Sequence, residues 1–165
     1  RNNNTNNSLN FLNFSKNKIN LNSLIINNTN NNSNFSNSAK VNFSEADITK
    51  DWFFAKSTYD LVTFSLMLEH IEDLDAVFQK LAKVTAVGSH VYIGELHPFK
   101  QYAGSKARFE TESGTHVVTC FNHHVTDFIQ AANTSGFQLI QLDEQFDDAD
   151  RSQIPRILNL LFEKL

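Results

Sequence analysis

This chain of 165 residues lacks most of what a secreted or nucleic-acid-binding protein needs. It has a single cysteine, Cys120, which rules out an internal disulfide and suits a reducing compartment. No run of about 18 apolar residues occurs, and no basic-then-apolar leader resembles a signal peptide. The expectation is therefore a soluble cytoplasmic protein with no membrane partner. Glycine is confined to the second half: all five glycines lie at positions 88, 94, 104, 114 and 136, so no Gly-x-Gly loop exists upstream of them. A Gly-x-Ser-x-Gly nucleophile elbow is also missing, which removes the commonest serine-hydrolase reading. The first carboxylate of the chain is Glu45.

Asparagine fills the space left by these absences. Residues 1–40 hold 17 Asn, four basic residues and no acid. Asn side chains compete for backbone hydrogen bonds and bury little, so this segment reads as low-complexity and disordered, with one short strand within Leu9 to Ile19 as the exception. Residues 41–165 carry all 18 acids and 10 of the 14 Lys and Arg, a formal charge of −8. An acidic domain without cationic clusters is a poor match to a phosphate backbone, and nucleic acid is not expected as a partner.

From Val41 short apolar runs alternate with amphipathic stretches, the pattern of an α/β layer fold. Tyr59 to Phe64 reads as a strand covered on both faces. Leu74, Val77, Phe78, Leu81 and Val84 fall at helical spacing behind Glu72 and Asp73, with Gly88-Ser89 as the stop, and His90 to Glu95 follows as a parallel neighbouring strand. Ala107 to Thr111 and His116 to Phe121 flank a hairpin turn of four or five residues. A helix over Val125 to Thr134 ends at Gly136, and Phe137 to Leu142 and Ile157 to Phe162 are two late strands.

Three segments, in order, resemble class I S-adenosylmethionine (SAM) dependent methyltransferases: Val41 to Thr49 with Asp47 and Ile48; Tyr59-Asp60-Leu61-Val62-Thr63-Phe64-Ser65-Leu66-Met67-Leu68-Glu69-His70-Ile71; and the helix through Val84 with Gly88 and the strand to Glu95. The resemblance implies an α/β, Rossmann-like methyltransferase sheet over 41–165, mostly parallel with a C-terminal antiparallel hairpin, and lacking its first strand or strands. It implies SAM as cofactor, with the Asp47 carboxylate and the Ile48 amide against the adenine and with Phe64, Ser65, Leu66 and Met67 beside the cofactor. Two features of the family are missing, the glycine-rich loop and an acid for the ribose; Asn13 would take the acid's place if Leu9 to Phe14 were the second strand.

On the acceptor side, His97 and His124 are the candidate general bases, since imidazole titrates near neutral pH. Glu95, Tyr102, Arg108 and Phe109 are the candidate substrate contacts, and the hairpin a wall of the pocket. Cys120, His123 and His124 are close in sequence, with His97 and His116 as further imidazoles, but one Cys with scattered His lacks zinc-ligand spacing and no metal is expected. The reading is a methyltransferase for a small-molecule acceptor represented by an incomplete chain. The alternative is a catalytically silent methyltransferase-like subunit that binds a partner protein, and a homo-oligomer is equally open.

Overall fold

A computed structural model describes residues 11–15, 23–26, 41–43, 45–105, 108–111, 114–148 and 150–165. The strands are β1 (Phe11–Ser15), β2 (Ser23–Ile26), β3 (Val41–Phe43), β4 (Tyr59–Ser65), β5 (Thr85–Leu96), β6 (Arg108–Thr111), β7 (Gly114–Val117), β8 (Phe137–Gln145) and β9 (Ile157–Lys164); the α-helices are α1 (Leu74–Val84), α2 (Pro98–Tyr102) and α3 (Val125–Thr134). Seven strands join one sheet in the order β3-β2-β1-β4-β5-β9-β8, and β6 and β7 form a separate hairpin.

The centre of the sheet is parallel. β1 pairs with β4 from Phe11↔Leu61 to Ser15↔Ser65, and β4 pairs with β5 through Ser65↔Gly94. β9 then enters antiparallel between β5 and β8, the inserted hairpin that the resemblance implies. On the other side β2 pairs antiparallel with both β1 and β3.

Strand alternation builds the core. Leu12, Val62, Val91, Phe162 and Leu139 stand in register across five strands; the first four are fully buried and Leu139 packs against them. The helices cover this face. Leu74, Val77, Phe78 and Leu81 form the buried stripe of α1, and the Phe78 ring meets Phe137 and Phe162 edge-on, with centroids 6.0 and 5.8 Å apart, a geometry that aromatic quadrupoles favour. Burying one such side chain contributes about 2 kcal/mol. The opposite face is barer: Leu61 and Thr63 are half-buried and Tyr92 is exposed. β4 is thus covered fully on one face, where the sequence suggested two.

The sheet reaches further back than Val41. β1 is the short strand expected within Leu9 to Ile19, and β2 adds a second strand from the Asn-rich segment that reads as disordered, because Phe11-Leu12-Asn13-Phe14 and Leu24-Ile25-Ile26 each concentrate enough apolar residues for a strand; Leu12 is completely buried. β1 lies directly beside β4, so β4 has a parallel neighbour on the side expected to lack one. The rest of residues 1–40 lies outside the described residues.

Two turns also differ from expectation. The helix stops at Val84, before Gly88-Ser89, because the Thr85 hydroxyl donates to the Leu81 carbonyl at 2.8 Å and the backbone turns extended there. Gly88, at φ 81°, instead lies inside β5, where the register against β4 jumps from Tyr59↔Thr85 to Leu61↔His90; a left-handed residue at an irregularity favours glycine. In the hairpin, pairing continues to Thr111↔Gly114, so Gly114 and Thr115 belong to the second strand and the turn is shorter than four residues.

Candidate active site at the strand ends

The parallel strands end on one edge, where open α/β sheets place their ligands. β4 leaves the sheet at Ser65, and Leu66 then takes a left-handed backbone, φ 50°, with its N–H bonded to the Gly94 carbonyl at 2.9 Å. That conformation costs a non-glycine residue about 1–2 kcal/mol and must be held from outside. Glu95 holds it. Its Oε1 accepts from the Met67 and Leu68 N–H groups at 2.9 and 3.0 Å, and its Oε2 from the Glu69 N–H at 3.4 Å. These are the donors that open the short 3-10 helix Leu68–His70. Burial pushes the Glu95 carboxyl up to about 7; the Leu68, Met67 and Glu69 amides pull it down, and the Glu69 charge pushes it further up.

This reassigns Glu95. The sequence suggested a substrate contact, whereas the carboxylate is buried and both its oxygens are taken by backbone amides, so it positions the loop after β4. Among the expected cofactor residues, Ser65 and Leu66 are exposed on that loop, while Phe64 and Met67 are fully buried in the core.

Asp47 lies beyond β3, with β2 and β1 between β3 and β4 in the sheet. Its Oδ1 accepts from the Thr49 backbone N–H at 2.9 Å and the Thr49 hydroxyl at 2.6 Å, and the hydroxyl bond is the main reason its carboxyl is held below the usual range. The Asp47 carboxylate is exposed; Ile48 is buried, and its carbonyl accepts from Trp52 Nε1 at 2.9 Å and Lys80 Nζ at 3.0 Å. Lys80 belongs to α1, so the helix anchors the turn that presents Asp47.

The two candidate bases fare differently. His97 is buried; its Nδ1 accepts from the Phe99 N–H at 3.2 Å, capping α2, and its Nε2–H donates to Glu144 Oε1 at 3.1 Å. With its lone pair and its proton both committed, it serves as a cap that ties α2 to β8, which removes it from the candidate bases. Burial lowers its pKa and Glu144 opposes that. His124 is exposed at the start of α3, and its Nδ1 is hydrogen-bonded to the Tyr102 hydroxyl, the ring centroids being 5.7 Å apart. Structure thus joins one predicted base to one predicted substrate contact. Phe99, half-exposed, stacks obliquely on Tyr102 at 6.2 Å and extends the aromatic surface. Arg108 and Phe109 lie in β6, with side chains outside the described ones.

Residues outside the expected base, cofactor and substrate contacts also converge here. Glu69 receives Gln101 Nε2 at 3.3 Å and faces His70 Nε2 at 3.4 Å. The Phe121 N–H donates to the Glu69 carbonyl at 2.7 Å, which docks the segment after the hairpin onto the loop after β4. His123, buried, donates from Nε2 to the Ile71 carbonyl at 2.7 Å and so acts in packing. No sequence motif announces the longer of these pairings, because Gln101 lies 32 residues from Glu69 and His123 lies 52 from Ile71.

Comparison with known proteins agrees with this geometry. The model of the methyltransferase domain family matches residues 10–142. No curated protein matches the chain in sequence. Solved structures that share the fold include a Listeria monocytogenes protein described as a SAM-dependent methyltransferase (20% identity, TM-score 0.55, covering 66% of this chain and 62% of that one). A SAM-dependent methyltransferase from Mesorhizobium loti is similar at 16% identity and TM-score 0.55, over 73% of this chain and 68% of that one. DhpI, solved as a complex with S-adenosylhomocysteine, aligns at 17% identity and TM-score 0.53 over 74% of this chain and 54% of its own. The chain therefore spans less than two thirds of the Listeria protein. It belongs to the methyltransferase domain family. Among the described residues no helix is long and apolar enough to cross a membrane.

Proposed function

We propose that this domain is a SAM-dependent methyltransferase acting on a small-molecule acceptor. One observation carries the reading: β1, β4 and β5 run parallel towards the same edge, and Glu95 fixes the loop there so that Ser65 and Leu66 face outward. The descriptions of the structural neighbours, one of them solved with S-adenosylhomocysteine, support the choice of cofactor. The acidic balance of residues 41–165 supports a small acceptor over a nucleic acid.

The residues present fit the cofactor at its adenine end. Asp47 offers an exposed carboxylate, an acceptor suited to an exocyclic amine. When bound, SAM supplies an electrophilic methyl group. The chain's own residues would bind and orient: Asp47 would hold the base, Ser65 and Leu66 would form the floor, and the Tyr102 hydroxyl, bonded to His124 Nδ1, would serve the acceptor side.

A second reading, a catalytically silent module that binds a partner protein, is favoured by one specific feature. The first parallel strand of such folds leads into the glycine-rich turn, but here residues 16–22 connect β1 to an antiparallel β2 in seven residues without a glycine, fewer than a crossover helix needs. Calorimetric titration of the full chain with S-adenosylhomocysteine separates the two. Saturable binding that weakens at least tenfold in Asp47→Ala supports the enzyme. Absence of heat at millimolar ligand overturns it and leaves the silent module.

A further inference from the structure

Glu69, His70 and Cys120 bring a carboxylate, an imidazole and a thiol together, with one ligand atom from each lying within 4.8 Å of the others. We propose that these three side chains form a zinc site beside the loop after β4. The donor set is one that zinc accepts, and three protein ligands leave a fourth position for water or another small ligand.

The surrounding geometry is built for a ligand set. His70 Nδ1 is 2.8 Å from the Thr119 carbonyl, which can only accept, so the proton sits on Nδ1 and the Nε2 lone pair points toward Glu69 Oε1 at 3.4 Å. A histidine anchored through one nitrogen on a backbone carbonyl, with the other turned to the metal, is the usual outer-shell arrangement. Gln101 Nε2 steadies the other Glu69 oxygen at 3.3 Å, and the Phe121 N–H to Glu69 carbonyl bond holds Cys120 alongside. Ligand atoms around tetrahedral zinc lie about 3.3–3.8 Å apart given its bond lengths. The Glu69–His70 pair already meets that spacing, and the Cys120 thiol, 3.7 Å from His70 Nδ1 and 3.4 Å from the Val118 carbonyl, closes the set by turning from the Nδ1 side of the ring toward Nε2. A cation there would also offset the charge of two buried carboxylates, Glu69 and Glu95, packed on the same turn.

The sequence predicts no metal and sets Cys120 close to His123 and His124. The structure takes both of those histidines elsewhere, one to the Ile71 carbonyl and one to Tyr102, and puts His70 and Glu69 in their place.

Cobalt(II) substitution tests the site directly. The full chain, stripped with chelator and titrated with cobalt, is expected to bind one equivalent with a thiolate-to-cobalt charge-transfer band and the intense visible bands of a tetrahedral centre. Cys120→Ser loses the charge-transfer band, and His70→Gln weakens binding at least tenfold. Zinc alone is expected to slow alkylation of Cys120 in the unmutated chain by at least tenfold, a readout that does not depend on any variant folding. Cobalt binding without the charge-transfer band, or alkylation unchanged by zinc, overturns the proposal and marks any bound metal as adventitious.

Discussion

Glu95 of β5 grips the Leu68 N–H at 3.0 Å, so a strand in the middle of the sheet dictates the shape of a loop that leaves its neighbour. Replacing this carboxylate with alanine leaves buried amides of Met67 and Leu68 without acceptors. Each such group costs about 1–3 kcal/mol, and with Leu66 already held left-handed, the loop rather than the whole sheet is expected to open. Hydrogen exchange of Glu95→Ala should show lost protection at 66–70 with β9 still protected. Unchanged protection at 66–70 would mean that the Glu95 bonds do not hold the loop.

His97 provides a pH dependence with a definite sign. Burial holds its pKa below the ordinary value while Glu144 opposes that shift. As pH falls below about 6.5, the unfolded imidazole takes up a proton before the folded one does. The unfolded state then binds more protons, and stability falls with falling pH until the folded group also titrates. Urea unfolding between roughly pH 7.5 and 5 should therefore show a stability loss that is smaller in His97→Gln. Parallel profiles for the two proteins would place the pH dependence elsewhere.

Leu12 tests whether the Asn-rich segment is part of the fold. Its side chain is completely buried in register with Val62. Leu12→Ala should cost about 2–4 kcal/mol and lower the melting temperature by several degrees. An unchanged melting temperature would show that the sheet begins at β4.

Much of this architecture is legible in the sequence because it depends on local periodicity. The apolar spacing of Leu74, Val77, Phe78 and Leu81 marks α1, and the runs at Tyr59, Phe137 and Ile157 mark strands whose cores the structure retains while extending their ends. β1 was only faintly visible, since Phe11, Leu12 and Phe14 are a short apolar signal inside a long asparagine background.

The site was less readable. Tyr102 and His124 were singled out separately by residue type, and the fold joined them across two helices. Glu95 and His97 were singled out for polarity at a strand end, but no local pattern reveals that backbone amides 26 to 28 residues away consume the one, or that Glu144, 47 residues on, holds the other. The Glu69, His70 and Cys120 cluster depends on bonds between distant segments, from the Phe121 N–H to the Glu69 carbonyl and from His70 to the Thr119 carbonyl, which residue identity does not encode.

The insertion of β9 between β5 and β8 also sets an order of events during synthesis. β5 carries Val91 and Ile93 on a strand whose partner on that side, Ile157–Lys164, is translated long after it. Until then β5 is an open hydrophobic edge, the kind of surface on which nascent chains stick to one another. β8 emerges before β9 and, among the described strands, has no partner in the sheet until β9 arrives. Closure of this half of the sheet is therefore a late, non-local step, slow by its loop entropy, and a chaperone that shields β5 would act on this protein before any ligand could.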